Sequence, residues 1–80
     1  MKFLYFGSGQ CGACRLMQPI LAQLKKLGYE VTKLNPSVNR IEAGKYDIKE
    51  IPTLIYLQGG VETKRWIGFT ELDKILRELP

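Results

Sequence analysis

Histidine is missing from the 80 residues, and cysteine occurs only twice, as Cys11 and Cys14. Without an imidazole there is no Ser-His or Cys-His nucleophilic pair and no His-ligated zinc or iron site. Two thiolates alone fall short of the four ligands of a tetrahedral zinc centre, so no metal site is expected. Long apolar runs are missing too, since nothing approaches the roughly 18 residues of a membrane span. The opening Phe3-Leu4-Tyr5-Phe6 is shorter than a secretory apolar core and runs straight into Gly7-Ser8-Gly9. No membrane association is expected, and the expected compartment is the cytoplasm.

Charge of one sign is not concentrated anywhere. Twelve Lys and Arg against eight Asp and Glu give +4, yet the only adjacent basic pairs are Lys25-Lys26 and Lys64-Arg65. Basic residues do not interleave with Tyr5, Tyr56 and Trp66, so these aromatics are read as packing residues and no nucleic-acid partner is expected. Repeats, linkers and low-complexity tracts are lacking as well. What is present is ordinary globular composition, 45% apolar and 25% charged. A chain of this length is expected to form one domain over residues 1–80, to be a monomer, and to bury roughly 60–65% of its unfolded surface.

The apolar pattern orders the elements. Lys2 to Phe6 is a short apolar run ended by a glycine-rich turn, as for a strand covered on both faces. From Cys11 to about Leu27, residues Leu16, Ile20, Leu24 and Leu27, widened by Met17 and Leu21, predict an amphipathic helix closed by Gly28. Pro19 lies inside it and removes a backbone donor, so a kink is expected in its second turn. Glu30 to Leu34 reads as a second strand, parallel to the first by a right-handed crossover. Val38 to Asp47, interrupted by Gly44, has weak helical periodicity. Thr53 to Leu57 and Val61 to Ile67 form a hairpin through Gln58-Gly59-Gly60, with Glu62, Lys64 and Arg65 protecting its outer strand as an edge. With no helix after it, Gly59-Gly60 is a turn and not a phosphate loop. Thr70 and Asp73 have the spacing of a capping box, and Leu72, Ile75, Leu76 and Leu79 complete a last helix. The predicted fold is α/β, in the order β-α-β-α-β-β-α: a mixed four-stranded sheet, the first and third strands central, helices on both faces.

Cys11-Gly12-Ala13-Cys14 falls where the first strand hands over to the first helix. In a reducing cytosol a lone Cys-x-x-Cys is catalytic or metal-binding more often than a staple, because so short a loop constrains the unfolded chain little. A thiol at a helix N-terminus meets unpaired N–H groups and the positive end of the macrodipole, which lower its pKa from about 8.5 into the range of about 3.5–7.5. Cys11 is therefore the expected nucleophile. Cys14, one turn on, is placed to attack a mixed disulfide on Cys11 and release the reduced substrate.

Over Lys2 to Leu79 the sequence resembles a small, glutaredoxin-sized member of the thioredoxin superfamily. The resemblance rests on Cys11-Gly12-Ala13-Cys14, on Pro19, on Lys33-Leu34-Asn35, on Ile51-Pro52-Thr53 and on Gly68. It implies a protein dithiol–disulfide oxidoreductase whose redox-active disulfide is Cys11–Cys14, with no bound cofactor. It further implies a cis Ile51–Pro52 bond beside the cysteines, with Ile51 and Pro52 as substrate platform and Gly68 letting a substrate backbone approach. Gly12 and Ala13 would tune the reduction potential. Partners implied are protein disulfide substrates, with a reductase or glutathione as electron donor.

Three departures from the family pattern stand out. Gln10 replaces the usual Trp, Ala13 replaces Pro, and Tyr5, six residues before Cys11, occupies the place of the buried Asp that assists the second cysteine. Lys33, that Asp's partner, is retained. Either its ammonium stabilises a thiolate near Cys14, or it is a solvated edge-strand lysine. The alternative functions are a glutathione-dependent, glutaredoxin-like reductase, a non-catalytic binding module on the same fold, and a cysteine-pair metal carrier.

Overall fold

The computed structural model describes residues 1–80. Its elements are β1 (Lys2–Phe6), α1 (Gly12–Lys26), β2 (Glu30–Leu34), α2 (Arg40–Lys45), β3 (Thr53–Gln58), β4 (Val61–Ile67) and α3 (Leu72–Glu78), the expected order. The strands lie side by side as β2-β1-β3-β4. β1 runs parallel to β2 and antiparallel to β3, and β3 runs antiparallel to β4. The two most apolar strands take the centre because both of their faces must be covered.

Alternation along the central strands divides the core in two. Phe3 and Tyr5 of β1 with Leu54 and Tyr56 of β3 join Met17, Ile20, Leu21 and Leu24 of α1, Trp66 of β4 and Ile75 of α3 in one cluster. Leu4, Phe6, Ile55 and Leu57 point the other way, toward Ala43 of α2 and the half-buried Leu34, Tyr46 and Ile48. Helices thus cover both faces, α1 and α3 on one and α2 on the other. Between β3 and β4 the turn places Gly59 and Gly60 at φ 58° and 81°, the paired left-handed conformation of a tight hairpin.

Two local expectations need correction. Leu16 and Leu27 do not belong to the buried stripe of α1; both are more than half exposed, and the inward face is Cys14, Met17, Ile20, Leu21 and Leu24. The expected capping box does not form, because α3 starts at Leu72 with Glu71 as an N-cap that makes no side-chain bond. The Thr70 hydroxyl donates instead to the Gly68 carbonyl (3.2 Å), and Asp73 pairs with Arg77 at 3.3 Å. Cys11 is the N-cap of α1, next to its first residue, as expected. Pro19 sits on the exposed side of the helix, where the carbonyl it fails to serve meets water.

Candidate active site

Three segments meet at one end of the sheet. β1 leaves the sheet at Phe6, whose register partner is Thr53, the first residue of β3; Thr53 in turn faces Ile67, the last residue of β4. The loop Gly7 to Cys11, the dipeptide Ile51-Pro52 and Gly68 are therefore brought to the same edge. Their neighbourhood is also seen in a surface groove lined by Ser8, Gly9 and Gln10 on one side and by Lys49, Glu50 and Ile51 on the other.

Cys11 has extended backbone angles, and its Sγ accepts the N–H of Cys14 at 3.1 Å. That is the N-cap position usually held by an oxygen. A thiolate there is stabilised by the N–H and by the helix dipole, and no acidic residue in the first turn offsets this effect. Cys11 is half-buried, whereas Cys14 is 1% exposed. The two are joined in a disulfide with Cα atoms 5.0 Å apart. Of the two sulfurs, only that of Cys11 lies where an incoming disulfide has access. Gly12 is exposed and Ala13 half-buried, and a Cβ built on Gly12 meets nothing.

The Ile51–Pro52 peptide bond is cis. Ile51 is 36% exposed while Pro52 is buried. The Thr53 hydroxyl donates to the Glu50 carbonyl at 2.6 Å, and the Gly68 N–H donates to the Pro52 carbonyl at 2.7 Å. Gly68 stands at φ 84°, a conformation that disfavours any side chain. Its N–H is thus committed to the proline, and the adjoining Thr70 N–H lies 3.5 Å from the Met17 sulfur.

Behind the disulfide lies polar machinery that the sequence revealed only in part. The Lys33 ammonium donates to Gln18 Oε1 at 2.8 Å, and Gln18 Nε2 donates to the Cys14 carbonyl at 3.0 Å. The buried Tyr5 hydroxyl donates to the same carbonyl at 3.3 Å. Burial holds the Tyr5 phenol above its usual 10.0, so it stays a protonated donor through the neutral range. Gly7 packs against the Tyr5 ring so closely that a Cβ there would lie 2.5 Å from the hydroxyl oxygen. Lys33 thus contacts the site through Gln18. The resemblance already points to Tyr5 and Lys33 beside Cys14; the Gln18 link from Lys33 to Cys14 is foreshadowed only by the four-residue step from Cys14 to Gln18, which places those two on one helix face. No group of three Cys, Asp or Glu side chains is arranged to hold a metal ion.

The family model for thioredoxin matches residues 2–80. The chain belongs to the thioredoxin family. It is 36% identical over 77 residues to a thioredoxin of Streptomyces clavuligerus, covering 94% of this chain and 72% of that one. Among solved structures, thioredoxin 1 of Thermosipho africanus superposes with a TM-score of 0.86 at 22% identity, over 96% of this chain and 88% of that one. A bifunctional thioredoxin reductase/thioredoxin of Mycobacterium leprae is 31% identical over 77 residues, 92% of this chain and 17% of that longer one. Family membership and the paired cysteines make the chain a thiol–disulfide oxidoreductase with a redox-active disulfide. Neither the binding-module nor the metal-carrier reading is favoured. No helix is long and apolar enough to cross a membrane.

Proposed function

We propose that the protein reduces protein disulfides in the cytoplasm as a monomer with no resident cofactor. The Cys11 thiolate attacks one sulfur of the substrate disulfide; a Cys11–substrate bond forms, the substrate S–S bond breaks, and the other substrate sulfur leaves as a thiolate and takes a proton. Cys14 then attacks Cys11, closing the Cys11–Cys14 disulfide and expelling the second substrate thiol. Two electrons pass from the dithiol to the substrate. The observation that carries this assignment is the asymmetry of the pair, a half-exposed cysteine capping α1 and a buried one a turn behind it.

Ile51 and Pro52 form the platform on which an extended substrate segment lies, its backbone pairing with that of Ile51 as an added strand. Gly68 keeps the adjacent rim free of a side chain. Gly12 and Ala13 set the freedom of the turn between the sulfurs and so tune the potential, and Lys33 adds a positive charge that favours the ionised dithiol. A dedicated dithiol reductase as electron donor is supported by the Mycobacterium leprae relative, which carries a reductase and a thioredoxin in one chain.

The test is reduction of a protein disulfide with dithiothreitol as terminal donor, comparing the wild type with Cys11→Ser. Loss of at least a hundredfold in rate is expected, because no second exposed thiol remains. Equal rates would remove the enzymatic assignment. Glutathione supporting turnover in Cys14→Ser would instead identify a glutaredoxin-like donor.

A further inference from the structure

The exchange chemistry needs two sulfurs and a docking edge; it does not by itself account for the polar convergence on the Cys14 carbonyl. That carbonyl lies in the first turn of α1, where the N–H four residues on already serves it as part of the helical ladder. Two further donors reach it, Tyr5 Oη from β1 and Gln18 Nε2 from α1, and Gln18 is in turn held by Lys33 of β2. Tyr5 and Lys33 are direct register partners on the paired strands β1 and β2. One strand thus holds the backbone oxygen of the buried cysteine directly, and the neighbouring strand holds it through Gln18.

The significance of this grip emerges when the disulfide opens. In the oxidised protein the first turn is held by the Cys11–Cys14 bond and by the cap from the Cys14 N–H to Cys11 Sγ. Once Cys11 is joined to substrate, the covalent link is gone and Cys11 is drawn toward its new partner. Helix ends fray readily, and Gly12 has no side chain to resist it. The packing of Met17, Ile20, Leu21 and Leu24 still holds the body of α1 on the sheet, and the polar ties left on the Cys14 backbone at its first turn are the contact with Tyr5 and the Gln18–Lys33 link.

We propose that Tyr5 and Gln18 are positioning residues for the resolving displacement, holding the backbone of Cys14 in place while Cys11 is bound to substrate. The proposal rests on the assignment of Cys11 as nucleophile and Cys14 as resolving thiol. In the step concerned, the Cys14 thiolate forms the bond to Cys11 Sγ, the Cys11–substrate bond breaks, and its electron pair leaves on the substrate sulfur, which is protonated by water. The role is geometric and not one of proton transfer. The cavity that Tyr5, Gln18 and Lys33 line also carries Arg15, Ser8 and Asn35, so its charged groups are the two cations Arg15 and Lys33, with no carboxylate to accept a proton.

The two displacements can be timed separately. Formation of a trapped mixed disulfide is followed in a Cys14→Ser background with a protein disulfide, and its resolution by rapid mixing in the protein with both cysteines. Tyr5→Phe keeps the ring and removes one neutral hydrogen bond, so resolution is expected to slow roughly fivefold while mixed-disulfide formation changes less than about twofold. Gln18→Met, on the exposed side of the helix, should act the same way even if Tyr5→Phe lowers stability. The slowing should be parallel at every pH, with unshifted midpoints. Unchanged resolution in both variants, equal slowing of the two steps, or a shifted pH midpoint would each overturn the positioning role. If Cys14→Ser traps no mixed disulfide, the underlying exchange assignment fails instead.

Discussion

The two faces of the sheet are built on different principles. On the α1 and α3 face ten buried side chains interlock, with Phe3 against Tyr29, Tyr56 and Trp66 at ring-centroid separations of 5.2, 4.9 and 6.2 Å. On the α2 face the apolar cluster has only four buried residues, and α2 itself buries none. There the covering layer is secured by a polar clasp: Arg65 of β4 donates to the Tyr46 carbonyl at the end of α2 (2.6 Å) and to both oxygens of Glu62 (2.7 and 2.8 Å). The catalytic helix belongs to the thick face, where the sulfurs inherit the rigidity of a packed core. The segment leading into Ile51-Pro52 belongs to the thin one. The cysteines thus sit on the more heavily packed face and Ile51-Pro52 at the end of the more lightly packed one.

The largest effect should come from Leu24→Ala. Leu24 is fully buried on the thick face, and its truncation should cost about 3 kcal/mol in denaturant unfolding, whereas Ile48→Ala on the thin face should cost about 1 kcal/mol. Equal losses would erase the distinction between the faces. Next is Arg65→Met, which breaks the clasp; about 1 kcal/mol is expected, with faster amide exchange confined to α2 and residues 46–51. Exchange that accelerates equally in α1 would show that the faces are coupled.

The smallest effect concerns the polar fastening between β4 and α3 on the thick face. Trp66 Nε1 donates to Glu78 at 2.8 Å, and this bond, with Lys64 and Lys74 nearby, holds the Glu78 carboxyl below its usual 4.5. A depressed folded pKa gives stability that is present above the usual value and is lost as pH falls through the lower folded one. Glu78→Gln should lower Tm slightly near neutrality and flatten the acid limb below about 4.5, the two curves converging at low pH where the wild-type carboxyl is protonated. An unchanged acid limb would show that the Trp66–Glu78 bond adds nothing to that face.

The sheet was legible in the sequence because period-two alternation and near-continuous apolar runs decide directly which strands are central. The phase of α1 was not. Leu16, Ile20 and Leu24 step by four residues, and each such step drifts about 40° around a helix of 3.6 residues per turn, so Leu16 slid off the buried face. The last helix was placed correctly, but it begins one residue later than a Thr70 cap requires, with Glu71 at the N-cap, and the Thr70 hydroxyl donates to the Gly68 carbonyl. Cys11 and Cys14 were readable from spacing and from the turn before the helix. The Tyr5–Cys14 and Lys33–Gln18 bonds were not, because they join residues 9 and 15 positions apart through contacts that exist only once β1, α1 and β2 are packed, and without them the i,i+4 step from Cys14 to Gln18 is one of many on the helix.

The fit of Gly7 beneath the Tyr5 ring has a consequence for how such a site changes over generations. While position 5 carries a tyrosine, position 7 is closed to every residue with a side chain; a smaller residue at position 5 would open it. The coupling runs one way: Gly7 leaves position 5 free to change, whereas a side chain at position 7 must wait until the phenol has been replaced or has moved.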